Sequence, residues 1–178
     1  MDSLWITTII SAVVTILGFL FTYNSMKKNF KSEIEKVKID KTLDKISDLP
    51  MEIQQLMDDT LNNKITNEEY ANRFRPMMAK IFAYCSKSTI TIATNMQEFA
   101  YNMSNAKEKN EEDNYKSTAY FVLLICQIKY DITGTEINPE YWYRMRFPKY
   151  NEIKEKQRKA NNDIVNQLDI QKFLLTKK

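Results

Sequence analysis

The side chains able to do acid–base or nucleophilic work are few in kind. The 178 residues contain no histidine and only two cysteines, Cys85 and Cys126. Without histidine, the Ser-His-Asp and Cys-His nucleophilic systems and the histidine-containing zinc sites fall away. Carboxylates and bases remain. Glu98, Asp131, Arg73 and Lys129 stand in or beside apolar stretches. No spacing joins them into an acid–base constellation, so they read as ion-pair partners of a helical core. Both cysteines lie in apolar runs and read as reduced core thiols, with a lone disulfide between them left open. The acidic stretch "KEKNEEDN" (107–114) lacks the one-residue alternation of an EF-hand loop and reads as a solvated connection. Two glycines and four prolines disfavour phosphate-binding loops and tight-turned sheets. The expectation is a protein that is not an enzyme and uses no metal or cofactor.

A recognition surface is the other chemistry on offer. In "EYWYRMRFPKY" (140–150), aromatic rings alternate with Arg144, Arg146 and Lys149. Trp142, Arg144 and Arg146 are the residue types that dominate protein interfaces, and arginines also meet anionic headgroups. Single-stranded nucleic acid could stack there too. However, a net charge of +3 and a pI near 8.7 provide no strongly basic stripe, which disfavours nucleic acid. A plainer reading packs Trp142 and Phe147 on the core and leaves the arginines in water.

These residues need elements to hold them, and the first element is an anchor. Leu4–Tyr23 is twenty residues without a charge. As a helix it covers about 30 Å, the hydrocarbon thickness of a bilayer. Trp5 and Tyr23 flank it, as interfacial rings do. A secretory signal fits poorly, because only Met1, Asp2 and Ser3 precede the run and no small-x-small cleavage site follows it. Lys27, Lys28 and Lys31 follow the run and no basic residue precedes it. The positive-inside rule then predicts a single-pass cell-membrane protein with its carboxyl-terminal domain in the cytoplasm. There the Asn102-Met103-Ser104 sequon would go unused. Thr8, Ser11, Thr15, Gly18 and Thr22 recur at 3-4-3-4 spacing and so share one stripe. Such stripes let spans associate. Alternatively, the hydroxyls bond back to their own helix.

The fold class expected is all-α: an N-terminal transmembrane helix (1–24), a juxtamembrane stalk helix (25–47) and a cytoplasmic helical bundle (48–178). On the stalk, Phe30, Ile34 and Val37 share one side. Asp48 and Pro50 open the bundle, whose first helix turns Ile53, Leu56, Met57 and Leu61 inward. Thr66 and Glu69 form a capping box. Tyr70, Phe74, Met77, Ile81 and Tyr84 follow at helical spacing, with a kink expected at Pro76. Residues 89–94 have β propensity, but Ile92, Met96, Phe99 and Met103 keep a helical period, so the segment is predicted helical. The stretch from Ser104 to Asn114 reads as a connection. Ala119–Ile128 is apolar all round and reads as the central core helix, closed by Gly134. Asn138 and Pro139 begin a short helix that Pro148 ends. Residues 149–178 read as one last polar helix.

Two segments, "IFAYCSKSTITIATNMQEFAY" and "LLICQIKYDITGTEINPEYWYRMRFPKY", cover about a quarter of the chain. They resemble uncharacterised single-pass, membrane-anchored helical proteins of low-GC Gram-positive bacteria and their mobile elements. In those proteins glycine often stands at the position of Cys85. The resemblance implies one amino-terminal span and a helical domain, and it implies no activity or catalytic residue. The functional expectation is a membrane-tethered adaptor, in a mobile-element or phage-defence setting, whose partners are the lipid bilayer and either a second copy or another protein. The alternative is a self-assembling, membrane-perturbing effector of holin or toxin type.

Overall fold

A computed structural model describes the backbone of residues 2–62, 64–105 and 110–176. Within these, the side chains of residues 2–18, 20, 38, 61 and 67 lie outside the description. All the regular structure described is helical, and the chain divides into two units, Met1–Thr42 and Leu43–Lys178.

The first unit is most of helix α1, Asp2–Ile46, 45 residues without a break. Every described side chain from Phe21 to Val37 is exposed. Among the described residues no helix is long and apolar enough to cross a membrane. Most side chains of the Leu4–Tyr23 run, with those of Thr8, Ser11, Thr15 and Gly18, fall outside the described residues. Thr22 is described and exposed.

The second unit is a bundle of α2 (Leu49–Leu61), α3 (Asn67–Tyr84), α4 (Lys87–Asn105), α5 (Glu111–Thr133), α6 (Pro139–Arg146) and α7 (Tyr150–Leu168). A 3-10 turn, Lys172–Leu174, follows. Helix α5 is the axis. It packs against α2, α4, α6 and α7, and its residues Thr118–Ile128 are all buried. Ile53, Leu56 and Met57 of α2 and Phe74, Met77 and Ile81 of α3 supply the core from one side. Ile92, Ala93 and Met96 of α4 and Ile164 and Val165 of α7 supply it from others. The carboxyl end of the stripe on α3 departs from expectation, because Tyr84 is 42% exposed.

The ends of these helices follow local chemistry. The Thr66 hydroxyl accepts the Glu69 N–H at 3.2 Å, and the Glu69 carboxylate accepts the Thr66 N–H at 2.8 Å. Two otherwise unpaired donors are thus satisfied at the start of α3. That helix continues through Pro76. Residues 89–94 are helical, as their apolar spacing requires. Gly134 closes α5 at φ 66°, in the left-handed region glycine tolerates.

Two boundaries differ from the sequence reading. Helix α5 starts at Glu111, inside the stretch read as a connection. Asn110 caps it in a second box with Asp113, and three acids in the first turn suit the positive end of the helix. The last helix stops at Leu168 and does not run to the end. Asp169 turns the chain at φ 48°, and residues 170–176 fold back along α7.

Candidate functional site

Helix α6 is held by its neighbours on one side and open on the other. The Asn138 Oδ1 accepts the Glu140 N–H at 2.9 Å, which starts the helix, and its Nδ2 donates to the Leu175 carbonyl at 2.9 Å. Trp142 is buried. Its indole N–H donates to Gln54 Oε1 at 3.3 Å, and its ring meets the edges of Tyr143 and Phe147 with centroids 6.0 Å away in each case. Tyr143 is fully buried and donates to Asn161 Oδ1 at 3.0 Å. Burial holds its hydroxyl well above the usual phenol range. Glu140 accepts from Arg158 of α7, whose Nη2 lies 2.8 Å from each carboxylate oxygen and whose Nε donates to Oε2 at 3.2 Å. With side chains 12% and 19% exposed, this is a well-packed charge-assisted pair. Arg146 pairs with Asp58 of α2.

The outer face of the same helix carries Tyr141, Arg144 and Met145, which are adjacent at i, i+3 and i+4. Tyr141 is 62% and Met145 81% exposed. Arg144 is exposed and has no ion pair among the described residues. A shallow groove of about 350 Å³, lined by Asn138, Glu140, Tyr141 and Arg144, runs beside it. Of the three residues singled out from sequence, Trp142 is therefore the internal fastening and Arg146 an inter-helix pair. Arg144 is the one of the three that is exposed with no ion pair among the described residues. Tyr141 and Met145, which the sequence reading left unassigned, complete the outward face.

The candidate acid–base residues are dispersed. Arg73 pairs with Asp59 at 2.6 Å. Asp131 Oδ2 accepts the Ser86 N–H at 2.9 Å and the Thr89 hydroxyl at 2.6 Å, and its Oδ1 accepts Gln127 Nε2 at 3.1 Å. Asp131 thus closes the start of α4 from the end of α5. Glu98 and Lys129 are exposed. No hydrogen bond or ion pair among the described residues joins any two of the four. Both cysteines are free thiols. Burial, with the Asp131 charge nearby, pushes Cys85 up to about 12, and burial does the same to Cys126. At neutral pH both stay protonated and poorly nucleophilic. Among the described residues no cluster of three or more metal-ligating side chains occurs. "KEKNEEDN" falls partly outside them.

Sequence reasoning missed one fastening. Asn161 Nδ2 donates to the Leu174 carbonyl at 2.8 Å. Asn162 binds Thr176 three times, through Nδ2 to its carbonyl and Oδ1 from its N–H and hydroxyl, at 2.9–3.0 Å. An Asn-Asn pair inside a helix is locally unfavourable, and that was the available signal.

Compared with protein-family models, with curated proteins and with solved structures, the chain has no significant match in any of the three.

Proposed function

We propose that the chain is a membrane-tethered, non-enzymatic interaction module: residues 1–24 an anchor, 25–47 a stalk and 48–178 a cytoplasmic bundle that presents the outer face of α6. The observation that carries this reading is the end of the uncharged Leu4–Tyr23 run. Phe19 is 74% exposed, Phe21 80% and Tyr23 65%. Each large apolar side chain left in water forgoes about 1.5–3 kcal/mol, whereas in lipid the same exposure costs nothing. Exposed Lys27, Lys28 and Lys31 just beyond them suit the cytoplasmic headgroup layer. The tether would raise the local concentration of α6 near a membrane partner without any new contact. A mobile-element or phage-defence setting belongs to the same proposal and rests on the resemblance described above.

The test is extraction and topology of the full-length chain. It should stay in the membrane pellet through alkaline carbonate, and a carboxyl-terminal tag should resist protease until spheroplasts are lysed. Release by carbonate would remove the anchor, and digestion before lysis would reverse the orientation.

A second reading, self-assembly into a membrane-perturbing effector, draws on α1 itself. Phe19, Tyr23, Met26, Phe30, Ile34 and Val37 recur at 4-3-4-4-3 spacing and are 40–74% exposed. That is one apolar stripe which a second copy could cover. Overexpression separates the readings: an effector depolarises cells, and an adaptor is tolerated.

A further inference from the structure

We infer that the recess between α3, α4 and α5 is a binding site for a neutral one- or two-ring aromatic molecule carrying a hydroxyl or N–H group. The recess holds about 270 Å³, near the lower end of the roughly 300–1,000 Å³ typical of small-molecule sites. That size limits the guest to one or two rings. The inference stands apart from the membrane reading, because every residue it uses lies in the bundle.

The walls argue for the class of guest. Rings drawn from two stacked or tilted pairs form much of them. Tyr70 stacks on Phe74 with centroids 5.3 Å apart and an 18° tilt, and Phe99 meets Tyr120 at 5.4 Å. Tyr70, Phe99 and Tyr120 line the space, so a flat guest could join an existing aromatic cluster at the usual ring spacing. Met96, Met103, Ala100 and Phe121 add to the apolar lining, and the flexible thioethers of the two methionines adapt to the edge of a ring.

Among the described residues no Lys, Arg, Asp or Glu lines the recess. An anionic guest would lose hydration with no counter-charge among these residues, and the Glu98 carboxylate, close enough to add to the burial that raises the Tyr120 phenol, adds repulsion, which disfavours phosphates and carboxylates. Polar handles are nevertheless present. The hydroxyls of Thr60 and Ser104 are committed to their own helices, at 2.7 Å to Leu56 O and 2.8 Å to Tyr101 O. Those of Tyr70, Tyr120 and Ser117 have no hydrogen-bond partner among the described residues. Burial pushes the Tyr70 phenol up to about 12, so it remains a donor throughout the physiological range. Three uncommitted hydroxyls on an apolar, ring-walled recess call for a guest with one polar group on an aromatic body.

The experiment uses the full-length protein, labelled with 13C at the methionine methyls. The probes are 1-naphthol and its charged analogue 1-naphthoate. 1-Naphthol should shift the Met96 and Met103 signals saturably while leaving Met51, on the exposed side of α2, in place. 1-Naphthoate should bind at least about tenfold more weakly, for want of a counter-charge. Ala100 lies at the rim and is exposed, so Ala100→Leu should fill the recess without straining the core. It should weaken 1-naphthol by about tenfold or more. If the spectrum of that variant shows a disturbed fold, Ser117→Leu closes the recess from α5 and takes its place. Three outcomes would overturn the inference: no saturable shift at Met96 and Met103, equal shifts at every methionine, or undiminished binding in the filled variants.

Discussion

In α5, eleven consecutive residues from Thr118 to Ile128 are buried, while in α1 every described side chain from Phe21 to Val37 is exposed. Both helices carry large apolar residues. In α5 these include Leu123, Leu124 and Ile128, at 0% exposure; in α1 they include Met26 and Phe30, at 65% and 66%. What separates them is company. Four other helices of the bundle pack against α5, so an all-round apolar run is satisfied within the chain. The apolar residues of α1 obtain no such cover from their own unit. Apolar content therefore marks what must leave water, and the rest of the chain decides whether it can do so unaided.

The strongest way to break this comparison is to place a charge in each helix. Leu123→Asp puts a carboxylate where nothing can pair or hydrate it. The cost is several kcal/mol, on the order of the roughly 5–15 kcal/mol that holds a whole domain folded. The variant should lose cooperative thermal unfolding by circular dichroism. Phe30→Asp, on the exposed stretch of α1, should stay within about 0.5 kcal/mol of wild type. Equal loss in both would mean that α1 is covered after all.

A step below that is the polar clamp at the end of α5. Asp131→Ala strips partners from the Ser86 N–H, the Thr89 hydroxyl and Gln127 together, and Thr89 and Gln127 are 0% exposed. Buried donors left unpaired cost about 1–3 kcal/mol each before relaxation, so a loss of roughly 2–4 kcal/mol is expected in urea unfolding. Lys129→Ala, two residues away and exposed, should change little. A silent Asp131→Ala would show that α4 is started by other contacts.

The carboxyl-terminal fold-back is weaker still. Asn162→Ala removes three bonds to Thr176 and should cost about 1–2 kcal/mol. Local release should exceed global loss. Trypsin should cut after Lys172 about tenfold faster than in wild type, read by mass spectrometry, while the melting temperature falls only slightly. Unchanged cutting would mean that the buried Leu174, with the Asn161 and Asn138 bonds to the carbonyls of Leu174 and Leu175, holds the segment without Asn162.

The legibility of these features follows the range of the interactions behind them. The α5 core, the Thr66–Glu69 box and the Gly134 stop were readable because each is written within a few residues. The start of α5 was hidden because Asn110 and Asp113 sit among other charges and looked like a solvated connection. The end of α7 was hidden because Asp169, and not a glycine, takes the left-handed turn. Helix α6 marks the boundary most clearly. Its residue types announced recognition, but which of them face outward depends on Gln54 and Asp58, each 88 residues from its partner. No periodicity in an eight-residue helix encodes that.

The smallest expected effect tests the local caps that set the bundle's helices apart from the uninterrupted α1. Glu69 accepts the Thr66 N–H and meets the Thr66 hydroxyl at 3.1 Å. Those bonds, the backbone one foremost, hold its carboxyl below the usual 4.5. In the unfolded chain the bonds are gone and the ordinary value returns. Between the two values the unfolded state binds more protons, so stability there rises with pH. The contribution of the capping charge is complete above about pH 4.5 and fades as pH falls through the lower folded value. Glutamine at this position keeps an acceptor for the cap but cannot titrate. The stability difference between wild type and Glu69→Gln, from urea unfolding at pH 6, 5, 4 and 3, should therefore shrink as pH falls. The carboxyls of Glu111 and Glu112 are also held low by their partners, but they are common to both proteins and cancel in the difference. Glu68→Gln, which touches no cap, should show no such trend. A Glu69 difference that stays constant across the series would mean the box works through hydrogen-bond geometry alone, and the charge on α3's first turn would have no part in starting the helix.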